Sequence, residues 1–77
     1  MSYVFFIDPS IPGAGELSRE ITLFFEEVNQ NQKSVSSDQL LTLHQVVDRF
    51  NNSEKKAVDA IKELHSVRKG LGLVTSH

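Results

Sequence analysis

The sequence predicts an all-α fold: a small three-helix arrangement, built from a helical hairpin plus an N-terminal helix, with a short apolar extended N-terminal arm. Three observations predict it. Apolar residues recur at helical spacing in three separate stretches. Capping residues and breakers separate those stretches. Residues 8–15, Asp-Pro-Ser-Ile-Pro-Gly-Ala-Gly, hold both prolines and two of the four glycines, which sets the opening run apart from the first helix. The expected division is arm and connector 1–15, helix 1 over 16–30, helix 2 over 36–51, helix 3 over 53–69 and tail 70–77, all in one domain.

The arm is Tyr3-Val4-Phe5-Phe6-Ile7, five consecutive apolar residues that need cover. Leu73-Val74-Thr75 is the one β-prone run within the chain that could pair with it. In helix 1, Leu17, Ile21, Phe24, Phe25 and Val28 form the apolar stripe, while the acidic residues 16, 20, 26 and 27 are spaced as a solvated face. Helix 2 opens with Ser36 and Gln39 at the spacing of a capping box. Its inward face is Leu40, Leu43, Val46, Val47 and Phe50, flanked by Leu41 and His44. Asn51 and Glu54 repeat the capping spacing, so helix 3 is expected almost at once, and so short a connection favours an antiparallel hairpin. Helix 3 carries Ala57, Val58, Ala60, Ile61, Leu64 and Val67, and Gly70 is the expected left-handed cap after Arg68 and Lys69.

Composition narrows the chemistry. The 77-residue chain has no cysteine, hence no disulfide, thiolate nucleophile or zinc–thiolate cluster, and its net charge of −2 argues against a general polyanion binder. No apolar run reaches the length of a membrane span, and the opening run lacks the basic flank of a secretory signal, so the expected location is the cytoplasm. His44 and His65 fall about 9 Å out of register along the hairpin axis at 1.5 Å per residue, too far apart for one ion. His44 comes level with Asp59 instead. No glycine-rich phosphate cradle or activated hydroxyl stands out. The expectation is no catalytic residue, no metal and no cofactor.

Two resemblances bear on function. Residues 46–74, VVDRFNNSEKKAVDAIKELHSVRKGLGLV, resemble a winged-helix pattern of helix-turn-helix proteins. That resemblance implies a DNA-binding transcriptional regulator with helix 3 as recognition helix and Ser53, Lys55 and Lys56 near its N-terminus facing DNA. The sequence departs from the pattern at Asn51 and Asn52, where a glycine and an apolar plug are usual, and at Glu54, whose charge opposes phosphate. Residues 60–72, AIKELHSVRKGLG, are similar to the last helix and tail of small immunity proteins against pediocin-like bacteriocins, which are antiparallel helix bundles. Lys55, Lys62 and Lys69 recur every seven residues along one side of helix 3, diluted by Asp59 and Glu63.

The expected function is therefore a small non-enzymatic protein–protein interaction module: a regulator, adaptor, inhibitor or immunity-type factor. Its expected partners are itself, as a homodimer or higher oligomer, and an unidentified protein, with nucleic acid as the alternative partner. Helices 1 and 2 carry more apolar surface than three short helices are expected to cover, which places the interface on them. The candidate interaction residues are Tyr3, Phe5, Phe6, Phe24, Phe25 and Leu41.

Overall fold

The computed structural model describes residues 5–73 and has three helices: α1 (Ala14–Gln30), α2 (Ser37–Asn51) and α3 (Ala57–Gly70). No strand occurs among the described residues. Tyr3, Val4, Val74 and Thr75, on which the expected arm–tail pairing rests, lie outside them.

The layout is all-α, with α3 in the centre. It packs against both other helices, whereas α1 and α2 keep their backbones more than 8 Å apart. The core gathers Leu17, Ile21, Phe24 and Val28 of α1, Leu43, Val46, Val47 and Phe50 of α2, and Ala60, Leu64 and Val67 of α3. Those are the predicted stripes, and their convergence removes the apolar faces from water. Most of the surface expected to need a partner is thus covered within one chain: Val46, Val47 and Phe24 are buried, and Leu40 is half-buried.

The helix starts differ in kind. At α2 the capping box forms as read: the Gln39 N–H donates to Ser36 Oγ at 3.1 Å, and the Ser36 N–H donates to Gln39 Oε1 at 2.9 Å. Helix α1 begins at Ala14, two residues earlier than expected, behind an N-cap glycine at φ +88°. A Cβ on Gly13 would lie 2.5 Å from the Ala57 Cβ, so the start of α1 sits directly on the start of α3. Helix α3 begins at Ala57, four residues later than expected.

The reason for that delay is the end of α2. The Ser53 N–H donates to the Phe50 carbonyl at 3.0 Å and the Glu54 N–H to the Arg49 carbonyl at 2.8 Å, with Ser53 at φ +62°. This is a Schellman closure, and it uses the Glu54 amide that a second capping box would have placed inside α3. The other two helices end the same way. Gln32 (φ +54°) and Lys33 close α1 on Asn29 and Val28, and Gly72 (φ +74°) and Leu73 close α3 on Lys69 and Arg68. Gly70 therefore belongs to the last turn of α3, and the left-handed position falls at Gly72.

Candidate functional site

The described part of the arm, residues 5–7, lies on the chain's own helices. Phe5 and Ile7 pack against the core cluster, as does Ile11 from the connector. Phe5 occupies the seam that α1 and α2 leave between them. Its ring stacks on Phe25 of α1 at 5.7 Å between centroids and meets the His44 ring of α2 at a tilt at 4.5 Å. Phe25 in turn meets Phe24 edge-on at 5.0 Å, so an aromatic run leads from the core to the surface.

Backbone capture completes the docking. The Asn51 side chain accepts from the Asp8 N–H through Oδ1 at 2.9 Å and donates through Nδ2 to the Phe6 carbonyl at 2.9 Å. These two main-chain groups flank Ile7, and they are the pair a neighbouring β-strand would take. One amide has both a donor and an acceptor, so a single side chain satisfies both. The sequence marks Asn51 as a capping residue and as a departure from the helix-turn-helix pattern; its clamp role joins residues more than forty positions apart and leaves no local pattern. The connector has its own turn, in which Asp8 Oδ1 accepts from the Ser10 N–H at 2.9 Å and from Ser10 Oγ at 2.7 Å. Those two hydrogen bonds hold the Asp8 carboxyl below its ordinary value.

The predicted interaction residues separate. Phe24 is fully buried in the core and presents no surface; Phe5 and Phe25 are half-buried against each other. Phe6 is 72% exposed and Leu41 56% exposed. In the chain, Phe6 follows Phe5 directly, and Leu41 is one helical turn before His44. Tyr3 lies outside the described residues. Leu23 and Val58 are further exposed apolar side chains, Val58 among the residues expected to carry the apolar pattern of helix 3.

The predicted nucleic-acid trio is placed ahead of α3 rather than in its first turn. Ser53 is the left-handed residue closing α2, and Lys56 is the exposed N-cap of α3. Lys55 folds back to pair with Glu63 Oε2 at 2.5 Å, which breaks the seven-residue lysine row. That carboxylate oxygen is shielded from solvent, and Lys55 is the cation beside it.

Polar contacts between α1 and α3 use Glu20 and Glu27, whose spacing predicts a solvated face. Arg68 is 5% exposed and is hydrogen-bonded to Glu27 of α1. His65 Nε2 lies 3.5 Å from Glu20 Oε1 at an open groove of about 340 Å³, lined by Glu16, Arg19, Glu20, Ile61 and His65. The groove offers carboxylates, a guanidinium and an imidazole, with no hydroxyl or thiol among its lining residues. Among the described residues, no group of three His, Cys, Asp or Glu side chains is placed to hold a metal ion, and no helix is long and apolar enough to cross a membrane.

In comparisons with protein-family models, with curated proteins and with solved structures, none matches this chain.

Proposed function

We propose that the chain is a small non-enzymatic interaction module, a regulator, adaptor, inhibitor or immunity-type factor, acting through helix packing and self-association. The observation that carries this reading is the apolar rim of the arm slot. Phe6, next to Phe5 in the arm, and Leu41, one helical turn before the His44 that Phe5 meets, both stay open to solvent. A single exposed leucine is ordinary, but exposed apolar groups gathered around one seam mark a contact surface.

Sedimentation of the purified protein at micromolar concentration tests self-association. The expected result is a dimer or larger species that Phe6→Asp with Leu41→Asp converts to monomer; a strictly monomeric wild-type chain overturns it. The DNA-binding alternative draws on the winged-helix resemblance. Here the pairing of Lys55 with Glu63 weakens it, because a neutralised lysine releases fewer counterions. Mobility shift of duplex DNA at low salt separates the two readings. The interaction module gives no retardation, whereas salt-sensitive retardation abolished by Lys55→Ala with Lys56→Ala makes the chain a DNA binder.

A further inference from the structure

We infer that the slot between α1 and α2 is a binding site for an extended peptide segment, and that the segment it takes in trans is the arm of a second copy. The inference rests on the self-association reading and gives it a mechanism. Recognition in the slot has two parts. Phe25 and His44 grip one aromatic ring from two helices, and the Asn51 amide grips the main chain on either side of Ile7. Main-chain pairing supplies affinity for any extended segment, and the ring slot supplies choice, which is the division of labour in strand-type peptide recognition.

The arm of a second copy fits because it would make the same contacts. What distinguishes the closed and exchanged forms is the connector, residues 8–13, and this segment is suited to act as a hinge. Pro9 and Pro12 restrict its backbone, and beyond the Asp8 N–H that Asn51 holds its hydrogen bonds are local: Ser10 to Asp8, Ile11 to Asp8 and Ala14 to Ile11. A short, restrained hinge favours reciprocal exchange of a terminal element between identical chains. Phe6 lies two residues before the hinge, so crossing arms bring both Phe6 side chains toward the two-fold junction, where their exposed rings gain cover.

The native chain has no cysteine, so single thiols report the exchange cleanly. One full-length chain carries Phe6→Cys and a differently tagged one carries Asp48→Cys. Position 48 is one helical turn from Asn51, and both substituted side chains are exposed. The two are equilibrated at about 100 µM and treated with a short bis-maleimide, with helix content of each verified by circular dichroism. A second pair, Phe6→Cys with Asn52→Cys, reads the same site if the Asp48→Cys chain misfolds. Expected is a covalent heterodimer at least ten-fold above that of a Phe6→Cys and Lys69→Cys pair, falling to that control level when Asn51→Leu is added to the acceptor chain. A yield at the control level overturns arm exchange. If the wild-type chain nevertheless sediments as a dimer, only the exchange fails and helix faces hold the copies together; if it is a monomer, the self-association reading fails as well.

Discussion

Asn51 and Asp8 are forty-three residues apart in sequence and joined at 2.9 Å, the Asp8 N–H donating to Asn51 Oδ1. The same amide holds the Phe6 carbonyl, so the last residue of α2 fixes the position of the arm. Asn51→Leu removes both bonds while keeping a side chain of similar bulk. It should cost about 1–2 kcal/mol of stability. Hydrogen exchange at the Asp8 amide should accelerate far more than exchange within α3. Unchanged Asp8 protection in the variant would show that the clamp does not hold the arm. Deleting residues 1–7 should lower the melting temperature further, because Phe5 and Ile7 also leave the core cluster.

Gly13 and Gly15 should respond oppositely to alanine. Gly13 sits at φ +88° with the Ala57 Cβ in the space its own Cβ would need. Gly13→Ala should cost about 2–4 kcal/mol, the left-handed penalty and the overpacking acting together. Gly15 has no neighbour within 4 Å of an added Cβ and lies inside α1, so Gly15→Ala should gain about 0.5–1 kcal/mol. Urea midpoints measured on the two variants decide the matter.

The three helix ends offer an internal comparison, since one left-handed position is glycine and the others are not. Gln32→Gly and Ser53→Gly should each stabilise by about 0.5–1 kcal/mol, because glycine carries no Cβ penalty there. Gly72→Ala should destabilise by about 1 kcal/mol for the same reason. Gly70→Ala should gain up to about 0.5 kcal/mol as a change in the last turn of α3, its Cβ meeting Gln39 Nε2 at an ordinary 3.9 Å. Thermal melts of the four variants give the signs directly.

Arg68 is a buried cation whose partner Glu27 is half-exposed. Glu27→Ala leaves the guanidinium shielded from water without its carboxylate and should cost about 1.5–3 kcal/mol. Arg68→Met removes the charge and keeps the packing, so it should cost less. Chemical denaturation of both variants tests the order, and a larger loss for Arg68→Met would contradict it.

Acid should loosen the connector before the helices. The folded Asp8 carboxyl titrates below its ordinary value of 3.8. Its contribution is therefore complete above the unfolded value and is lost as pH falls through the lower, folded one. NMR titration should show the Ser10 amide shifting with Asp8 on the acid side of 3.8. In Ser10→Ala the side-chain hydrogen bond is gone, and the Asp8 titration should move back toward 3.8.

Legibility followed the range of each interaction. The Ser36–Gln39 box was readable because both partners lie within one turn. The same reasoning failed at Asn51 and Glu54, where the identical spacing served the end of one helix instead of the start of the next. A left-handed serine at position 53 has no compositional mark, whereas a glycine would have drawn the eye. Glu27 looked solvated because its spacing suggested an outward face, and Arg68 looked like a last-turn complement to the helix dipole, yet the two face one another across α1 and α3.

By itself, the sequence determined three helices, the apolar stripe of each and the detachment of the arm, since periodicity and breakers act over a few residues. Only the tertiary structure decided that α3 stands between the other two, that Phe5 fills the seam they leave, and that Asn51 grips the arm's backbone. Those outcomes depend on which groups far apart in sequence come within hydrogen-bond or van der Waals reach, twenty residues apart for Phe5 and Phe25 and more than forty for Asn51 and the arm. Distance of that kind is set by how the helices pack, and no local pattern in the chain records it.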